Sequence, residues 1–309
     1  MSSYDAINWN RVEDPIDKQV WERLTANFWL DTKVPISNDL GSWNKMTPAE
    51  KQVVKDVFGT LTLLDTYQGN TGVPPLKDLA ETLHAKAVFS NIEFIEQVHA
   101  KSYSTIFSTL CSTEEIDEIF RKTQEDELLI REINVLRYLM LKNLEFAASV
   151  FLESFLFYSG FFAPLKFAAE GRLTNTADII RLIMRDEGVH GYYSGYQQQK
   201  LHPLDENDKH ELEDALLSLY GLECQRAERI YDGVGWTEEV KAYLRFNANR
   251  ALANLGMGPL FKEDSTKIPA YIMSSLDIGT GESHDFFSGS GASYVIGETE
   301  ETEDEDWSW

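Results

Sequence analysis

Two copies of the pattern E-x-x-H occur in this chain: Glu96 with His99, and Glu187 with His190. Three helical residues make up nearly one turn, so each pair sets a carboxylate and an imidazole on one helix face. Two further acids, Asp65 in L-T-L-L-D and Glu153 in V-F-L-E-S-F-L-F, stand in apolar surroundings where an uncompensated charge is strongly disfavoured. Together these residues supply one carboxylate from each of two helices and an E-x-x-H from each of two more. Helical bundles use that set to hold a pair of iron or manganese ions, here with an aspartate in place of one glutamate. Carboxylates with two imidazoles suit iron or manganese, whereas a structural zinc site more often uses cysteine.

Spacing alone leaves alternatives open, because a lone E-x-x-H is more often an exposed i,i+3 pair than a ligand pair. Glu81 and His84 have the same spacing and are not excluded by reach. The residue four positions on differs: Tyr103 follows His99, whereas Val88 follows His84. Tyr103 is thus close to the ligand face and about 6 Å along the axis, where its phenol could sit beside a metal cluster. Tyr192 and Tyr193, just after His190, are competing phenols that read more readily as packing residues.

The elements that must position these groups are helices. Thr47-Pro48-Ala49-Glu50 combines a cap, a proline at the first helical position and a capping-box glutamate, predicting a helix that runs to about Gly69. Gly69, Asn70, Gly72, Pro74 and Pro75 are expected to stop it. A second long pattern carries Glu96 and His99 towards Leu110, and Ser112 with Glu115 opens another helix. Residues 146–165 form an almost uninterrupted apolar segment around Glu153, as expected for a central helix, with Pro164 predicted to kink it. Thr174, Asn175 and Thr176 are cap candidates for the helix carrying Glu187 and His190, and two more helices are predicted at 205–231 and 237–255. After Pro259 the pattern fades. The reading is therefore all-α, with a helical domain over 1–277 and a flexible acidic tail over 278–309.

Composition excludes several classes. The 309 residues carry 28 basic against 51 acidic side chains, which disfavours nucleic acid and anionic membrane surfaces as partners. Seven of the acids fall between Glu298 and Trp309. The two cysteines, Cys111 and Cys224, form no close pair, so a reducing, cytoplasmic setting fits, and no secretory signal is visible at the N-terminus. The segment 146–165 has the length of a membrane span, but Glu153 inside it would be costly in lipid, so no membrane is expected.

The strings L-T-L-L-D-T, E-Q-V-H-A-K-S-Y-S, L-E-S-F-L-F-Y-S-G-F and N-T-A-D-I-I-R-L-I-M-R-D-E-G-V-H-G-Y-Y resemble the small subunits of class Ib ribonucleotide reductases. The resemblance extends from Ile7-Asn8-Trp9-Asn10 to the C-terminus. It implies a ferritin-like bundle with a dinuclear manganese or iron centre. Asp65, Glu96 and His99 would hold one metal, and Glu153, Glu187 and His190 the other, with carboxylates bridging. Tyr103 would carry a tyrosyl radical. Such a radical needs protection from water and reductants, and Phe157, Phe161 and Ile183 have the helical spacing to line an apolar pocket, a role compatible with plain core packing. The resemblance further implies a relay of Trp29, Asp186 and His99, with Tyr294 as its mobile outer member. Ser154 and Tyr158 match residues lining the family's oxidant channel, while Arg250 stands where a lysine is usual.

The implied partners are a second copy of the chain in a homodimer, a large catalytic subunit that reduces ribonucleoside diphosphates, and a flavodoxin-like activating protein. The tail, ending Asp306-Trp307-Ser308-Trp309, fits a tether that docks aromatic anchors on the large subunit. Two other classes compete: a stand-alone di-iron oxygenase or oxidase, which needs an open substrate pocket, and a ferritin-like metal store, which needs neither Tyr103 nor the tryptophan-ended tail.

Overall fold

The structure, a computed structural model, describes residues 5–273, and among them there are helices and no strands. The helices are α1 (Pro15–Ala26), α2 (Leu40–Trp43), α3 (Pro48–Tyr67), α4 (Val73–Leu79), α5 (Leu83–Leu110), α6 (Thr113–Gln124), α7 (Glu127–Leu141), α8 (Glu145–Phe151), α9 (Phe157–Ala169), α10 (Thr174–Leu201), α11 (Glu206–Tyr231) and α12 (Thr237–Asn254). The predicted capping boxes form: Thr47 and Glu50 open α3, and Ser112 and Glu115 open α6, each satisfying backbone N–H groups that the first helical turn leaves without partners. Asp205 caps α11 in the same way.

Four long helical segments surround the centre. α3 packs against α5 and α9, and α10 packs against α8, α9 and α5. The close approach of α3 and α9 depends on Gly160, where a Cβ would lie 2.8 Å from Leu61 Cγ. One large apolar cluster fills the bundle, and a smaller one joins α1 and α4 to α5 through Val20, Leu24, Leu76 and Phe89. The run Glu145–Ala169 is long and apolar enough to cross a membrane by composition, but its apolar stretch is wholly buried inside the protein. It is a core helix, as the helical neighbours on its faces require.

Three local expectations are corrected. The glycines and prolines after α3 do not stop the chain. Residues Gln68–Gly72 widen into a π-turn, and the helix resumes as α4, with Pro74 and Pro75 in its first turn where a missing N–H costs nothing. Pro164 sits within α9, while the departure from α-geometry falls earlier, at the π-segment Leu152–Leu156 that contains Glu153. Finally, α10 is not capped by its own threonines or asparagine. Leu173, at φ 47°, precedes the helix with no side-chain cap, and the buried Asp39 carboxylate accepts from the Asn175 N–H (3.2 Å), the Thr176 N–H (2.7 Å) and Thr176 Oγ1 (2.7 Å).

Candidate metal centre

Asp65 comes from the last turn of α3, Glu96 and His99 from the middle of α5, Glu153 from the π-segment between α8 and α9, and Glu187 and His190 from the middle of α10. All six are fully buried. Their ligand atoms converge in two overlapping groups, Asp65–Glu96–His99–Glu187 and Glu96–Glu153–Glu187–His190. His99 Nδ1 lies 3.3 Å from Asp65 Oδ1, 3.7 Å from Glu96 Oε2 and 3.0 Å from Glu187 Oε1. His190 Nδ1 lies 2.9 Å from Glu96 Oε1, 3.4 Å from Glu153 Oε2 and 3.4 Å from Glu187 Oε2. Glu96 and Glu187 therefore each direct one oxygen to either half, as carboxylates shared between two cations would.

The donor atoms fit a pair of cations. Among the described residues, both oxygens of Asp65, Glu96 and Glu187, Oε2 of Glu153 and Nδ1 of both histidines have no hydrogen-bond partner although they are buried. Buried polar atoms left in this state are costly unless something else satisfies them. The electrostatics agree. Burial pushes Asp65 up to about 8, reinforced by the neighbouring Glu96 and Glu153 charges and opposed by the His99 imidazole beside it. Glu187 is raised by burial and by the Glu96 and Glu153 charges. Burial opposes ionisation of Glu96 as well, but the adjacent His190 and His99 imidazoles outweigh it and hold the carboxyl at about 2. Four carboxylates around one point repel one another, and two divalent cations match their charge.

The surroundings fix His99 and enclose Tyr103. Asp186 Oδ2 accepts from Trp29 Nε1 at 2.7 Å and lies 3.2 Å from His99 Nε2, and the Trp29 and His99 rings stack with centroids 6.0 Å apart. A proton on Nε2 leaves the Nδ1 lone pair facing the centre, so Asp186 selects the ligating tautomer. Trp29, Asp186 and His99 are thus one connected chain, as their proposed relay requires. Tyr103 is fully buried against Phe58, with centroids 5.7 Å apart, and its hydroxyl has no hydrogen-bond partner. Burial, then the charges of Asp65, Glu187 and Glu96, raise its pKa well above that of a free phenol. Phe157, Phe161 and Ile183 are fully buried in the same apolar cluster.

The alternatives resolve by position. Glu81 is exposed, and His84 Nε2 lies 3.1 Å from the Asn8 carbonyl oxygen with its ring edge-on to Trp9, outside both ligand groups. Tyr193 donates to Asp17 Oδ1 at 2.7 Å and belongs to the smaller cluster, while Tyr192 is half-buried. Ser154 accepts from Asn254 Nδ2 at 3.0 Å, and the Arg250 guanidinium lies 5.1 Å from the Tyr158 ring centroid, so Ser154 and Tyr158 both meet α12, at residues one turn apart. Tyr294 and the tail lie outside the described residues. Sequence reasoning missed Gln68, Ser149, Ser194 and Phe58. Gln68 had a readable signal, an amide ending an apolar helix, that was obscured by the apparent stop signals after it.

Comparison with known proteins agrees with this arrangement. Residues 6–269 match the family described as "Ribonucleotide reductase, small chain". The chain is 53% identical to the ribonucleoside-diphosphate reductase subunit beta nrdF2 of Mycobacterium tuberculosis, over 98% of this chain and 96% of that one. It is 48% identical to the ribonucleoside-diphosphate reductase 2 subunit beta of Escherichia coli, over 100% and 99% of the two chains. The crystal structure of Streptococcus sanguinis dimanganese(II)-NrdF superposes with a TM-score of 0.84 at 49% identity, covering 89% of this chain and 100% of that one. With a ferritin-like helical bundle and a buried dinuclear site at its centre, the chain belongs to the ribonucleotide reductase small-chain family, in its class Ib branch.

Proposed function

We propose that this chain is the radical-bearing subunit of a cytoplasmic ribonucleoside-diphosphate reductase, in which Tyr103 is oxidised beside a dinuclear manganese or iron centre. The observation that carries the proposal is the pairing of two overlapping ligand groups with a sealed phenol that has no hydrogen-bond partner. Asp65, Glu96, His99, Glu153, Glu187 and His190 would hold the metals. When bound and oxidised by an external oxidant, the metal pair would supply one-electron oxidising power beside the phenol. The chain's own residues do the rest. Phe58, Phe157, Phe161 and Ile183 keep water from Tyr103, and Asp186 holds the His99 tautomer and accepts the Trp29 N–H, giving oxidation at Trp29 a place for its proton.

Trp29, Asp186 and His99 form the inner relay in this reading, and Tyr294 the outer member towards a large catalytic subunit docked by the tail. A homodimer activated by a flavodoxin-like protein completes the assembly. A stand-alone oxygenase needs substrate access to its metals, whereas all six ligands and Tyr103 are fully buried. The test is electron paramagnetic resonance after metal loading and oxidation. Wild type should give a tyrosyl signal, and Tyr103→Phe should keep its metals and fold yet give neither that signal nor reductase activity. The Phe variant should lose less than about 1 kcal/mol of stability, since the deleted hydroxyl makes no hydrogen bond. A signal persisting in that variant would move the radical to another tyrosine.

A further inference from the structure

Glu153 differs from the other acids of the centre in one respect: only one of its oxygens is free. Its Oε1 accepts a hydrogen bond from Gln68 Nε2, while Oε2 has no hydrogen-bond partner and faces His190 Nδ1 at 3.4 Å. Asp65, in the other half, has both oxygens free. Gln68 is 1% exposed and occupies the first position of the π-turn that follows the Asp65 helix, whereas Glu153 lies in the second π-segment. A single amide–carboxylate bond therefore ties the two π-segments together.

The amide has one workable orientation. Its NH2 donates to Glu153 and also to Ser149 Oγ at 2.9 Å, and Ser149 Oγ lies 3.2 Å from Ser194 Oγ on α10. Flipping the amide would put its carbonyl oxygen against a carboxylate, so both N–H groups are committed and the oxygen must point the other way. That oxygen occupies the space beside Gly72, where a Cβ would lie 2.0 Å from Gln68 Oε1. Gly72 has an ordinary helical φ of −76°, so glycine is required there for room and not for conformation. The Q-G-N-T-G π-turn is thus shaped around one buried amide that reaches the centre.

Resting on the dinuclear reading above, we infer that Gln68 is a positioning residue for the His190 half of the centre. By engaging Oε1, it holds Glu153 to a single-oxygen contact through Oε2 and sets that half's affinity independently of the Asp65 half. Partners of this kind typically change metal affinity 10–100-fold when removed.

The test is titration of metal-free protein with Mn(II), following free Mn(II) by its paramagnetic resonance signal, so that site number and affinity are read without enzyme turnover. Wild type should take up about two ions per chain. Gln68→Met, which preserves volume and removes the donor, should weaken one site at least ~10-fold and leave the other unchanged. The loss should persist in an Asp65→Ala background, where the remaining site is the His190 half. Gly72→Ala, which displaces the amide without deleting it, should weaken the same site, and this second route keeps the inference testable if Gln68→Met folds poorly. Equal affinities in wild type and both variants, or equal weakening of both sites, would overturn the role assigned to Gln68. Absence of metal uptake by wild type would instead defeat the dinuclear reading itself.

Discussion

At the scale of single residues, the centre is a balance between burial and charge. Each of its six side chains would be a liability alone, and together they make a compact anionic site whose unsatisfied atoms point inward. Chelated protein should therefore be less stable than loaded protein, and Glu153→Ala should lose most of one of about two bound ions per chain. His84→Ala should bind both, because His84 meets only the Asn8 carbonyl and Trp9. Metal analysis of the purified variants decides this. If His84→Ala loses metal and Glu153→Ala does not, the ligand assignment fails. The same contrast explains why two identical E-x-x-H spacings have different fates: the first belongs to the start of α5, where it meets the N-terminal segment, and the second to the mid-helix stretch facing α3 and α10.

At the scale of elements, helix ends and helix interruptions decide where the ligands point. The N-terminus of α10 is held by Asp39, so Asp39→Ala leaves the Asn175 and Thr176 N–H groups without their acceptor in a buried position. The expected cost is about 1–2 kcal/mol, read as a shift of the denaturant midpoint at unchanged slope. A loss of only a few tenths would mean that α10 is anchored elsewhere. A second buried ionic group joins three other helices. Arg226 on α11 donates to Glu132 on α7 at 2.9 Å, to Glu223 at 3.0 Å and to Thr60 on α3 at 2.6 Å. Arg226→Ala strands two buried carboxylates and should cost roughly 3–5 kcal/mol, whereas Glu132→Gln, which keeps an acceptor, should cost less. Chemical denaturation of both variants measures the difference, and equal costs would mean that lost packing rather than stranded charge dominates.

For the whole molecule, the proposed function gives the bundle and the tail separable tasks. The six candidate ligands and Tyr103 all lie between positions 65 and 190, so deleting the segment from Glu298 to Trp309 should leave metal content and the radical signal intact while weakening binding to the large subunit. Tyr294→Phe should do the reverse, preserving binding and radical but stopping turnover, because phenylalanine has no phenolic proton to lose on oxidation. Titration of the large subunit, with complex formation and deoxynucleotide production both measured, separates the two. Normal turnover by Tyr294→Phe would remove it from the relay, even if the tail proves to be the docking element.

Much of this molecule was determined by short-range information. The residue types and their i,i+3 spacing marked Glu96 with His99 and Glu187 with His190 as candidate ligand pairs, since a turn of helix brings such residues together whatever surrounds it, while the same spacing left Glu81 with His84 open. The capping boxes at Thr47 and Ser112 set two helix starts for the same reason. What the tertiary structure decided is what depends on distant neighbours. Gly69 and Pro74 read as a stop, yet packing of α4 on α5 keeps the chain helical through a π-turn. The cap of α10 comes from Asp39, 136 residues before Asn175, where no local pattern could point. His84 and His99 share a spacing, and only the position of α3 and α10 around His99 makes its Nδ1 the one that faces three carboxylates. Local chemistry specified which side chains could bind metal. The long-range packing of four buried helices decided which of them meet, because that is what brings their oxygens within reach of one another.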